Sequence, residues 1–92
     1  MNLAGALTRE VMEYLKSRNT VLIPTGSLEQ HGDAAPLACD TIIPVRLCAA
    51  AGMKTGTAVT PALTFGMSEN HMGFPGTVTL QPGTLSAVAR DI

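Results

Sequence analysis

The stretch Thr20-Val21-Leu22-Ile23-Pro24-Thr25, running directly into Gly26-Ser27-Leu28-Glu29-Gln30-His31-Gly32, decides the architecture. The segment from Thr20 to Thr25 is short, nearly all apolar and β-branched, the composition of a parallel strand covered on both faces. At Gly26 that pattern stops, and the carboxyl end of the strand opens onto a polar loop, the place where open α/β sheets bind ligands. On the amino-terminal side, Leu7, Val11 and Leu15 recur every four residues while Arg9, Glu10, Glu13 and Lys16 take the other faces. This spacing predicts an amphipathic helix over about Thr8 to Arg18.

On the carboxyl side, an apolar helix is expected over about Thr41 to Ala51, with Pro44 in its first turn and Gly52 as its C-terminal stop. Thr57 to Thr64 reads as a second strand, in which Pro61 removes one ladder donor and points to an edge or bulge. A second irregular loop follows from Phe65 to Gly76. Thr77 to Leu80 alternates like a third short strand, and a last helix is expected to begin with Thr84 as its N-cap. Helices interleaved with strands in this order give an α/β layered fold with a largely parallel sheet. A complete domain of that class needs more strands, so 92 residues are expected to be an incomplete one.

Composition narrows the function. Charged residues are 14% and hydrophobic residues 46%, and six Lys plus Arg face seven Asp plus Glu, so the basic excess of a phosphate-backbone binder is missing. Three aromatics, Tyr14, Phe65 and Phe74, give no row of stacking platforms. No nucleic acid partner is expected. The longest uncharged apolar stretch is far shorter than the roughly 20 residues of a membrane span, so no membrane partner is expected either. No basic n-region precedes an apolar h-region near the start, and Cys39 and Cys48 are too few for a disulfide framework. Free thiols and a cytoplasmic location follow.

The loop from Gly26 to Thr41 holds three of the seven acids, Glu29, Asp33 and Asp40, and one of the two histidines, His31. Glu29 and His31, two apart on an extended segment, can point to one side, and Asp40 stands where the next helix begins. Two carboxylates and an imidazole suit zinc, manganese or iron. Each residue also has a plainer reading: Asp40 as a helix N-cap, Glu29 as a solvated carboxylate, His31 as a hydrogen-bonded loop histidine. Ser27 and Cys39 near His31 lack a third orienting group for nucleophilic catalysis, and Cys39 is read as a small buried filler. The second loop collects Ser68, Glu69, Asn70 and His71 before the sharp turn Phe74-Pro75-Gly76. If the two strands are neighbours, both loops open on one sheet edge, leaving His71 as a ligand, a substrate contact or a surface residue.

Gly26-Ser27-Leu28-Glu29-Gln30-His31-Gly32, with Pro36-Leu37 and Asp40-Thr41, resembles the G-S-x-E-Q-H-G … D-T signature of the creatininase (creatinine amidohydrolase) family. Glu69 to Thr77, with Phe74-Pro75-Gly76-Thr77, resembles its second block, H-x-x-F-P-G-T. The resemblance runs from about Thr8 to Ile92 and covers the N-terminal third of a member, so residues 1–92 are expected to be the N-terminal part of a single creatininase-like domain. It implies a three-layer α/β/α sandwich, incomplete in this chain, and a homo-oligomer, often a hexamer. It also implies two divalent metal ions held by Glu29, His31 and a bridging Asp40, and a metal-activated water that hydrolyses a non-peptide C–N bond, that of a cyclic amide or formamide.

Ser68, Glu69 and His71 are then expected to contact a small-molecule amide substrate: creatinine, a formamide on a pyrimidine intermediate, or a small peptide-like amide. No residue is assigned as catalytic. Two departures matter. Many members continue the signature as H-G-P-H-L-P, whereas His31-Gly32 is followed here by Asp33-Ala34-Ala35-Pro36, without the second histidine. The family's remaining ligands come from an N-G-H-x-x-N loop and a later Glu that these 92 residues do not contain, so this chain alone is expected to bind metal weakly. The alternative is a truncated, non-catalytic oligomerising or binding module.

Overall fold

The computed structural model describes all 92 residues. Its regular elements, in chain order, are helix α1 (Thr8–Leu15), strand β1 (Val21–Leu22), helix α2 (Cys39–Thr55), strand β2 (Ala58–Val59) and helix α3 (Pro82–Asp91), with 3-10 turns at Leu3–Gly5 and Glu69–His71. β1 and β2 pair in parallel, Val21 opposite Ala58 and Leu22 opposite Val59. Helix α2 makes the crossover between them, as parallel pairing requires. The chain is an incomplete α/β fold, as its element order implies.

The strand pair extends beyond its regular part. Thr60 N–H donates to Leu22 O, Leu63 N–H to Pro24 O, and Gly26 N–H to Leu63 O, at 2.8 to 3.0 Å. Pro24 and Pro61 have no N–H to add, which is why the ladder reduces to a single parallel bridge at Thr25 and Leu63. The expected third strand is also one bridge, Val78 antiparallel to Leu28. That bridge pins the second loop to the first.

Three expected helix details differ. α2 begins at Cys39, so Asp40 lies inside the first turn rather than at the cap, and the cap position, Ala38, makes no side-chain bond. Pro44 therefore falls in the second turn and cannot bond the Asp40 carbonyl. Gly52 does not end the helix; α2 runs on to Thr55, where Gly56 adopts φ 69° and Arg18 Nη1 donates to Thr55 O at 2.8 Å. Gly52 is buried because β2 crosses close above it: a Cβ there would come within 2.8 Å of Val59 Cγ2. α3 begins at Pro82, a residue preset for a first turn, with Gln81 rather than Thr84 at the cap.

Tyr14 ties the first layer down. Its hydroxyl donates to Thr20 O at 2.5 Å and accepts from Ala58 N–H at 3.1 Å, joining α1, the approach to β1 and the start of β2. Only Pro24, Gly52, Ala58, Gly66 and Ser68 are buried. β1 is parallel as expected but not covered on both faces, since Val21 and Ile23 are exposed. Three helices cannot cover both sides of the sheet, and the radius of gyration of 15.4 Å exceeds the roughly 12 Å of a self-contained domain of this length. No helix is long and apolar enough to cross a membrane.

Candidate metal centre

The site forms where the loop after β1 folds back on the start of α2. Gly26 makes this possible, because a side chain there would collide with the carbonyl oxygen of Asp40 and lie 2.8 Å from Thr41 Cα. That carbonyl is the one Pro44 leaves free. Two further bonds fix the approach: Ser27 Oγ donates to Asp40 Oδ2 at 3.1 Å, and Thr41 Oγ1 donates to Ser27 O at 3.2 Å. The Asp40 carboxylate is thus held by Ser27 and turned away from a capping role.

His31 Nε2 comes to 3.3 Å from Asp40 Oδ2 without hydrogen-bonding geometry, and this nitrogen is buried with no partner at all. Such an atom carries an unpaired desolvation cost of about 1–3 kcal/mol. A ligand atom of Cys39 joins them, the three lying within 4.8 Å of one another. One imidazole nitrogen, one carboxylate oxygen and one thiol sulfur form a donor set for a borderline divalent ion, and the orphaned nitrogen is what such an ion would satisfy. The residues fit the metal that the loop's composition implies. Both cysteines are free, but Cys39 stands beside His31 and Asp40 rather than buried as filler. Its position immediately before Asp40 is the signal in the sequence that points there.

Glu29 does not join this group. Its carboxylate, 16% exposed, turns toward the second loop, where Oε2 is 4.0 Å from His71 Nε2. Glu29, Ser68, Glu69, Asn70 and His71, with Met67, line a cavity of about 300 Å³. Ser68 is 2% exposed and its Oγ has no hydrogen-bond partner, while its backbone N–H donates to Thr79 Oγ1 at 2.8 Å. Asp40 faces a second cavity of about 440 Å³ with Ser27, Gly26 and Met67. Met67 is common to both, so the two cavities adjoin. Gly66 allows the loops to meet this closely: a Cβ on it would come within 2.8 Å of Gly26 O.

A profile of the creatininase family, described as creatinine amidohydrolase, matches residues 6–92. The chain belongs to the creatininase family. It is 35% identical over 74 residues to the 3-dehydro-scyllo-inosose hydrolase of Thermotoga maritima, covering 79% of this chain and 24% of that protein. With the creatinine amidohydrolase of Pseudomonas putida it shares 33% over 79 residues, 78% of this chain and 30% of the relative. With the mycofactocin precursor peptide peptidase of Mycolicibacterium smegmatis it shares 38% over 71 residues, 71% of this chain and 29% of the relative.

Among solved structures, a manganese creatininase superposes with a TM-score of 0.90 at 26% identity, and a mutant creatininase of zinc–zinc type with 0.91 at 26%. Each covers 98% of this chain, which in turn spans 37% of the solved chain. The chain therefore spans about a quarter to a third of the length of the curated relatives it matches. The creatininase-family relatives are hydrolases and peptidases by name, and the manganese and zinc forms are metal-bearing.

Proposed function

We propose that residues 1–92 are the N-terminal part of a single creatininase-like domain in a divalent-metal-dependent amidohydrolase that cleaves a C–N bond of a small-molecule amide. The observation that carries the reading is the buried, unpartnered His31 Nε2 at 3.3 Å from Asp40 Oδ2, in a loop that matches a family with zinc and manganese members. Glu29, His31 and Asp40 would hold a pair of divalent ions, and Cys39 stands beside His31 and Asp40. When bound, the ions activate a water and polarise the scissile carbonyl.

The residues of the chain do the rest. Ser27 holds the Asp40 carboxylate with a hydrogen bond, which fixes its direction before any ion arrives. Ser68, Glu69 and His71 line the adjoining cavity and take the polar groups of the amide; the partnerless Ser68 hydroxyl is the donor or acceptor that such a substrate would meet. Creatinine, a formamide or a small peptide-like amide are the candidates, and one relative is named for creatinine. A homo-oligomer, a hexamer being the arrangement that the family resemblance implies, and a cytoplasmic location belong to the same proposal.

The test is Asp40→Ala in the complete protein, assayed for metal-dependent hydrolysis of a panel of small amides. Activity should disappear together with bound metal. Unchanged turnover in that variant would remove Asp40 from the site.

A further inference from the structure

Gln30 stands between Glu29 and His31, and both ends of its side chain are engaged. Its Oε1 accepts from Gly32 N–H at 2.9 Å, and its Nε2 lies 2.9 Å from His71 Nδ1. Its backbone N–H donates to Thr77 Oγ1 at 3.1 Å, so the residue is anchored to the second loop twice. Gly32 adopts φ 64°, a left-handed conformation that favours glycine.

These contacts locate protons. A backbone N–H only donates, so the end of the Gln30 amide that faces Gly32 is the oxygen. The other end is then the NH2 group, which also only donates, and His71 Nδ1 must be the ring nitrogen with the free lone pair. The orientation follows from the network itself, without a choice between amide rotamers. In the neutral ring the proton is accordingly on Nε2, the atom 4.0 Å from Glu29 Oε2.

We infer that Gln30 and His71 form a latch: Gln30 holds His71 in its Nε2–H tautomer, with Nε2 4.0 Å from the Glu29 carboxylate. His71 is thereby a positioning residue for Glu29, acting from the side of the second loop, while the edge of its ring still lines the substrate cavity. The separation of 4.0 Å is longer than a hydrogen bond, so the ring nitrogen stands beside the carboxylate without bonding it in this structure. A neutral donor suits this task, since it orients the carboxylate without the full charge that would compete with a cation for it. A metal-ligating group is commonly held by an outer partner in this way, and losing the partner lowers metal affinity about 10- to 100-fold. The tautomer stands on the hydrogen bonds alone; its consequence for metal rests on the proposal above that Glu29 is a ligand.

Two measurements on the complete protein separate these parts. The first is nitrogen-15 NMR of the histidine rings in selectively labelled, metal-free protein at a pH where the His71 ring is neutral, with His71 assigned by its absence from His71→Gln. The expected spectrum has a bare Nδ1 and a protonated Nε2. In Gln30→Glu an oxygen replaces the donating NH2, so a proton is expected on Nδ1. A protonated Nδ1 in the native protein, or a bare one in Gln30→Glu, overturns the latch.

The second is zinc affinity by competition with a chromophoric chelator. His71→Leu should weaken binding about 10- to 100-fold. His71→Gln, whose amide nitrogen can replace the Nε2 donor, should recover most of it. Equal zinc affinity in all three proteins, with only KM altered, would make His71 a substrate contact and overturn its positioning role. A native protein that shows the expected tautomer but binds no zinc would refute Glu29 as a ligand and leave the latch standing.

Discussion

Replacing Ser68 by Ala should move stability and activity in opposite directions. The Ser68 hydroxyl is nearly inaccessible, with 2% of the residue exposed, and Oγ makes no hydrogen bond. The backbone N–H of the residue, which bonds to Thr79 Oγ1, is untouched by the substitution. Burying a hydroxyl without a partner costs about 1–3 kcal/mol on the scale of protein mutations. Removing it returns that amount, less the contacts of one atom at roughly 0.1–0.2 kcal/mol per atom pair. The desolvation term is the larger, so the folded state should gain on the order of 1 kcal/mol. Substrate binding should lose its hydrogen bond to the hydroxyl, a loss of about 0.5–1.5 kcal/mol, or two- to tenfold in KM. Urea unfolding monitored by circular dichroism reads the first effect and steady-state kinetics on the best amide the second. A variant less stable than the native protein by 1 kcal/mol or more, with unchanged KM, would mean that the hydroxyl serves the fold and not a ligand.

Two further substitutions test the packing that builds the site. Tyr14→Phe deletes the bonds to Thr20 O and from Ala58 N–H and leaves the latter, on a residue only 1% exposed, without a partner. A loss of about 1–3 kcal/mol in chemical denaturation is expected, and a loss below a few tenths would show that another group takes over. Gly26→Ala places a Cβ against the Asp40 carbonyl and 2.8 Å from Thr41 Cα, both backbone, so neither can yield cheaply. Destabilisation of about 1–3 kcal/mol and weaker metal binding are expected together, and calorimetry with a metal titration would expose a variant that shows neither.

Much of this was readable from residue types and spacing. The crossover from β1 through α2 to β2 followed from apolar runs broken by glycine and proline, and the two loops of mixed acid, histidine and glycine were evident as the polar interruptions of an apolar chain. What escaped was set by contacts between distant segments. Gly52 resembled a helix stop, yet the close passage of Val59 explains it, and no local pattern carries that contact. Asp40 resembled an N-cap because Asp before an apolar helix usually is one; the helix begins two residues earlier than expected, at Cys39, and Ser27 claims the carboxylate. Glu29 and His31 share a spacing that can place them on one side, but Glu29 faces the second loop, to which the adjacent Gln30 is anchored through Thr77 and His71. Gln30 drew no functional reading because its partners, Thr77 and His71, are distant in sequence, and Cys39 was read as filler although it stands next to Asp40.

The central proposal is that the loop after β1 carries divalent metal. Elemental mass spectrometry on the complete protein, purified without added metal and compared with His31→Ala and a chelator-stripped sample, tests it most directly. About two zinc or manganese ions per chain are expected in the native protein, with the content falling in the variant and restored to the stripped protein by added metal. Native protein that hydrolyses its amide at full rate after stripping, with no ion above background and no difference from His31→Ala, would contradict it.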